Sequence, residues 1–125
     1  MTFSPDGQRI CFLGRHEDKT LDVVVVPVGD STSGLKVVAG RVPVYPDFAW
    51  HPGGDRVCFT MKHPELGRFQ IYGFDPDSDD PPTLLAGQDP EQHNRDSCCT
   101  PDGTQLIHVA VEKRRAQFCT AETKH

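Results

Sequence analysis

The chain has 125 residues, 36% of them hydrophobic and 25% charged, with 11 Gly and 11 Pro; this is the length of one domain and the composition of a turn-rich globular one, not of a disordered or collagenous segment. Lys and Arg total 13 against 18 Asp and Glu, a net charge of -5, and the densest basic cluster is Lys113, Arg114 and Arg115, so no phosphate-backbone footprint is visible and nucleic acid is not an expected partner. The longest apolar run, Val23 to Val28, is six residues including a Pro, against roughly 20 for a membrane helix, and the N-terminus lacks the basic-then-apolar profile of a secretory signal; the chain reads as soluble, with no membrane span.

In chain order, the predicted elements alternate short β-forming runs with turns. A Pro5-Asp6-Gly7 turn launches a strand over Gln8 to Gly14, followed by a strand over Leu21 to Val28, a polar turn over Gly29 to Gly34 and a strand over Leu35 to Ala39. An extended segment over Pro46 to His51 then leads into the turn Pro52-Gly53-Gly54 and strands over Asp55 to Met61, Phe69 to Phe74 and Thr83 to Ala86. Asp96 to Thr100 is extended again and meets a third turn, Pro101-Asp102-Gly103. Pro presets φ at each turn and Gly supplies the positive φ of a tight hairpin. No dozen residues hold a 3.6-residue apolar period free of Pro or Gly, so helices are not expected.

The elements repeat. Residues 3–40 laid over 50–87, an offset of 47 without a gap, give ten identities: Pro5/Pro52, Gly7/Gly54, Arg9/Arg56, Cys11/Cys58, Phe12/Phe59, His16/His63, Asp30/Asp77, Ser31/Ser78, Ala39/Ala86 and Gly40/Gly87. About two would arise by chance. The third copy begins at Thr100, with Leu106, Ile107 and His108 in place of Ile10, Cys11 and Phe12. Four short antiparallel strands per roughly 47 residues is the period of a β-propeller blade. The fold expected is therefore all-β, a partial propeller of four-stranded antiparallel blades with no substantial helix. Residues 1–40 form blade one, short of most of its inner strand; 41–88 form a complete blade two; 89–125 form a degenerate, incomplete blade three. Ile10, Phe12, Trp50, Val57, Phe59, Ile71 and Leu84 are the expected core. Trp50 is expected to wedge between neighbouring blades.

Five cysteines (Cys11, Cys58, Cys98, Cys99, Cys119) are an odd number without a C-x-x-C. They read as free thiols, with Cys11 and Cys58 filling core space, and lean towards a reducing, cytoplasmic compartment.

Phe3-Ser4-Pro5-Asp6-Gly7-Gln8-Arg9-Ile10-Cys11-Phe12 resembles the W/F-S-P-D-G-x-x-I-x-F signature of TolB-type, WD-repeat-like β-propellers, and Ala49-Trp50-His51-Pro52-Gly53-Gly54-Asp55-Arg56-Val57-Cys58-Phe59 is similar to it with His for Ser and Gly for Asp. Ile71-Tyr72-Gly73-Phe74-Asp75 resembles the family's I-Y-x-x-D. The third copy departs from the pattern, with Cys99 for the aromatic and His108 for Phe. The resemblance implies two and a half blades of a larger ring. An open arc leaves two blade faces uncovered, so self-association or pairing with remaining blades is expected.

Asp75-x-Asp77-x-Asp79 has the opening spacing of a calcium loop, but Asp80 stands where that loop needs Gly and Ala86 where it needs Glu, so a solvated hairpin turn is expected. His16 and His63 occupy the same loop in two repeats, and His93 precedes the next inner strand. Strand reversal puts these loops on one rim, with Arg95 and Asp96, and makes His16, His63 and His93 the metal candidates, against the plainer reading of scattered surface histidines. Among propellers that the chain resembles, oligogalacturonate lyases use a His-rich metal site, of which only Gln92-His93 is matched here. No phosphate loop, G-x-S-x-G elbow or H-E-x-x-H occurs, so no catalytic residue and no cofactor is assigned. The leading reading is a non-catalytic interaction or scaffold module that meets a protein partner through the rim His16, His63, His93, Arg95 and Asp96. The alternative is the propeller portion of a larger enzyme, either a prolyl-oligopeptidase-type serine peptidase or a metal-dependent polysaccharide lyase.

Overall fold

A computed structural model describes residues 2–18, 20–29, 36–112 and 115–122, with side chains for all of these except 41, 46, 112 and 115–122. The matches at Asp30 and Ser31, most of the turn over 29–34, and Lys113 and Arg114 lie outside the described residues. Among the described residues there is no helix, and eleven strands form three antiparallel sheets. The first sheet holds β1 (Thr2–Phe3), β2 (Arg9–Arg15), β3 (Leu21–Pro27) and β4 (Lys36–Val42). The second holds β5 (Val44–Trp50), β6 (Val57–Lys62), β7 (Phe69–Phe74) and β8 (Thr83–Leu84). The third holds β9 (His93–Cys99), β10 (Gln105–Glu112) and β11 (Arg115–Glu122). Each is a meander in chain order, the form a blade takes when every connection is a hairpin.

The three Pro turns are built alike. Gly7 N–H donates to the Ser4 carbonyl at 2.9 Å, Gly54 to His51 at 2.8 Å and Gly103 to Thr100 at 2.9 Å, with φ of +71°, +76° and +73° at the glycines. In the outer two copies an Asp closes the turn. Asp6 accepts from the Ser4 hydroxyl and Gln8 N–H, and Asp102 accepts from the Thr100 hydroxyl and both Thr104 donors. The Thr100 hydrogen bond, followed by those from Thr104, holds the Asp102 carboxyl down at about 2.

Two apolar clusters join the sheets. Cys11, Val23 and Val25 of blade one pack against Phe48, Trp50, Val57, Phe59, Tyr72 and Phe74 of blade two. Ala49, Cys58, Ile71 and Leu85 of blade two pack against Leu106 and Cys99 of blade three. Each blade thus has a leading face, towards the preceding blade, and a trailing face, towards the next. Alternation along the strand assigns them: Val57 and Phe59 lead while Cys58 trails.

Three sequence expectations change. Leu84 is 46% exposed, and its neighbour Leu85 is the buried residue of the pair, because the two point to opposite faces and Leu85 alone meets blade three. Ile10 and Phe12 are only half-buried, since they lie on the face of the first sheet turned away from blade two, against which none of the described strands packs. The gapless repeat also slips by one in the third strand. Phe12 pairs with Val24 but Phe59 with Tyr72, so the connection over 63–68 carries one extra residue and Tyr72 matches Val24, not Val25.

Candidate functional site

Because hairpins alternate ends, the connections over 16–20, 63–68 and 85–92 emerge on one rim, and the Pro turns with the 75–82 turn emerge on the other. His16 and His63 hold the same place, their N–H groups donating to the carbonyls of Thr20 and Arg68 at 2.9 Å each. Their rings do local work. His16 Nε2 lies 2.9 Å from Asp22 Oδ1, while His63 Nδ1 accepts from the N–H groups of Glu65 and Leu66 at 3.1 Å and its ring stacks on Tyr72. His93 Nδ1 accepts from Phe69 N–H at 3.1 Å. Arg95 Nη1 donates to Asp96 at 2.6 Å. The structure therefore places His16 and His63 in connections at one end of the blades and His93 at the first residue of β9, whereas Arg95 and Asp96, expected in the connection, lie inside β9 as its third and fourth residues and pair with each other. Among the described residues it brings no three His, Cys, Asp or Glu side chains together around one ion.

Residues missed by sequence reasoning tie blade two to blade three. Asp47 lies in a bulge of β5, where the register skips between Tyr45 and Ala49. Its Oδ1 accepts Thr60 N–H at 3.0 Å, and its Oδ2 accepts the Thr60 hydroxyl and, at 2.8 Å from the next blade, Asp96 N–H. Asp96 sits at φ +53°, the one non-glycine with positive φ among the described residues, a conformation that Asp tolerates better than most. Asp47 and Asp96 are 49 apart, the same offset as the second and third turns, and that spacing was the available signal.

A second group is made of amides. Gln88 continues the ladder beyond the two-residue β8: its Oε1 accepts Ile71 N–H at 2.7 Å and its Nε2 donates to the carbonyls of Ile71 and Leu85 at 2.8 and 2.7 Å. Gln70, 1% exposed, donates to the Gln92 carbonyl at 2.6 Å, and buried Asn94 donates to Gln70, Asp89 and Gln92. Buried amides without such partners would cost about 1–3 kcal/mol each, so the 85–92 connection is fastened to blade two. The signal was a Gln inside the apolar run Phe69 to Phe74.

On the opposite rim the blades are clasped through turn carbonyls. Arg9 Nη2 donates to the Gly54 carbonyl at 2.8 Å, Nη1 to Asp77 at 2.6 Å, and the guanidinium lies 5.6 Å from the Trp50 ring centroid. His51 Nε2 lies 2.9 Å from the Gly103 carbonyl, and its Nδ1 accepts Gly53 N–H, so the ring carries its proton on Nε2. A Cβ at Gly103 would come within 2.6 Å of His51 Nε2. The aspartates of the 75–82 turn diverge: Asp75 accepts Asp77 N–H, Asp77 meets Arg9, and Asp79 lies 3.5 Å from Lys36. A cleft of about 270 Å³ beside this turn is lined by Asp55, Arg56, Asp75 and Ser78 among others.

No family model matches the sequence, and no curated protein matches it. Solved structures do. A TolB from Acinetobacter baumannii is similar over 96% of this chain and 28% of its own, at TM-score 0.73 and 19% identity. A putative TolB from Agrobacterium tumefaciens is similar over 96% of this chain and 40% of its own, at TM-score 0.75 and 23% identity. A structure from a study of two prolyl endopeptidases covers 99% of this chain and 20% of its own, at TM-score 0.66 and 14% identity. The chain spans less than half the length of each. Its turns, sheets and blade-to-blade packing are those of a partial TolB-type β-propeller.

Proposed function

We propose that the chain is a non-catalytic interaction segment of a TolB-like propeller, meeting a protein partner through the rim that carries His16, His63, His93, Arg95 and Asp96. The observation that carries this reading is the fastening of the 85–92 connection by Gln70, Gln88 and Asn94. Loops held in one conformation lose little entropy on binding, and repeat folds offer such surfaces side by side. The test is cross-linking capture of a partner by the chain and by Arg95→Ala and Asp96→Ala variants with unchanged circular dichroism. Loss of capture with the fold intact supports the rim; equal capture by both variants rejects it.

The prolyl endopeptidase similarity favours a second reading, the propeller portion of a serine peptidase. A G-x-S-x-G segment encoded in the same reading frame would support it, and transferring activity from fold alone would not.

A further inference from the structure

The face that blade three turns to blade two differs in kind from the face that blade two turns to blade one. Adding 49 to Phe48, Trp50, Val57 and Phe59 gives Ser97, Cys99, Leu106 and His108. In blade two these positions form an apolar wall: Phe48 and Phe59 lie with ring centroids 6.0 Å apart and pack with Trp50 and Val57 against Cys11, Val23 and Val25. In blade three Leu106 and Cys99 keep an apolar contact, with Ala49, Cys58, Ile71 and Leu85, while the phenyl pair is replaced by a hydroxyl and an imidazole.

Backbone register sets that pair face to face. Ile107 pairs with Cys98 and Val109 with Arg95, so a bulge leaves Asp96 and Ser97 together opposite His108. Ser97 shares its face with Cys99, and His108 with Leu106 and Ala110, because alternate residues of a strand point the same way. Asn94 pairs with Ala110 on that face. All three side chains are out of solvent, Asn94 at 0%, His108 at 2% and Ser97 at 8% exposed. Asn94 Oδ1, Ser97 Oγ and both ring nitrogens of His108 nevertheless have no hydrogen-bond partner among the described residues.

Buried polar atoms in folded proteins are nearly always satisfied, because leaving them unpaired is costly. The chemistry of these atoms selects what would satisfy them. The amide oxygen accepts, the hydroxyl donates and accepts, and the neutral imidazole that burial favours offers one donor and one acceptor. Among the described residues no three His, Cys, Asp or Glu side chains converge around an ion, so the complement is a small neutral molecule that both donates and accepts. A phenyl ring exceeds a hydroxymethyl group by more than the ~30 Å³ that a water occupies. We propose that the junction of blades two and three contains an internal hydration site, with at least one ordered water bridging Ser97, His108 and the Asn94 carbonyl. The site belongs to a sheet junction and not to the loops, so it goes beyond the rim reading and is independent of it.

Magnetic relaxation dispersion of water oxygen-17 counts waters held inside a protein for longer than it tumbles. The parent is expected to exceed the double variant Ser97→Phe with His108→Phe by about one water or more, because that variant rebuilds the ring pair of blade two. Circular dichroism reports that the variant folds. A second measurement needs no substitution in the protein observed: with nitrogen-15 histidine, the ring N–H of His108, assigned by its loss in His108→Gln, should show direct cross-relaxation to water. An equal dispersion in the folded double variant, or a His108 ring without cross-relaxation to water in the parent, would overturn the site.

Discussion

Blade two and blade one carry the same motif, yet the motif residues live in different surroundings. Phe59 is fully buried among Phe48, Tyr72 and Phe74, with ring centroids 5.8 to 6.4 Å away, whereas its counterpart Phe12 is half-buried. Trp50 is 9% exposed and Phe3 is 56% exposed. In this fold a repeat residue is covered both by neighbours in its own sheet, as Phe59 is by Phe48, Tyr72 and Phe74, and by the blade packed against that face. A central blade is covered on both faces by construction, and an end blade on one. Blade three shows the converse: its departure from the motif, His108 for Phe, falls on the face that blade two covers, and the imidazole is 2% exposed.

The largest expected effect tests this contrast directly. Phe59→Ala should cost about 3–5 kcal/mol, as for large rings lost from packed cores, and Phe12→Ala under about 1.5 kcal/mol, both read from denaturant midpoints. Equal losses would remove the distinction between central and end blades. Next, Trp50→Ala should cost about 3 kcal/mol, while Phe3→Ala, at an exposed ring, should stay within about 0.5 kcal/mol.

The clasp between blades one and two ranks third. Arg9→Ala removes the contact over Trp50 and the bond to the Gly54 carbonyl, and about 1–2 kcal/mol is expected at this partly exposed site. Asp77→Ala should cost less than about 0.5 kcal/mol, since its carboxylate is 74% exposed and water screens the pair. If the two cost the same, the ion pair and not the carbonyl bond fastens the blades.

The fourth prediction concerns pH. Burial lowers the His108 pKa below its usual 6.5, so the folded chain favours the neutral ring. Stability from this group is therefore full above pH 6.5 and is lost as pH falls through the depressed folded value. Unfolding midpoints should drop on acidification, and His108→Phe, which restores the repeat, should flatten that slope; an unchanged slope would put the acid sensitivity elsewhere. The smallest effect is chemical. Burial pushes the Cys11 and Cys58 thiols up to about 12, so a thiol reagent at neutral pH should label exposed Cys98 first and leave both until the chain unfolds.

The amino-acid sequence by itself determined the repeat, the three turns and the strand class, because Pro and Gly fix local φ and alternation fixes which side chains share a face. From the same local rules, His16 and His63 could be placed on one rim. Only the tertiary structure decided which face of each blade is covered, because burial depends on a neighbour some 47 residues away. It separated Leu84 from Leu85 and left Ile10 and Phe12 partly open. It also showed that connection length can slip a register, as at Tyr72, where one extra loop residue moves every later side chain of the strand to the other face. Asp47 and Gln88 were beyond local reading for a related reason. Their partners, Asp96 N–H and the backbone of Ile71, are brought close by strand pairing and blade packing, and nothing in the neighbouring sequence announces them.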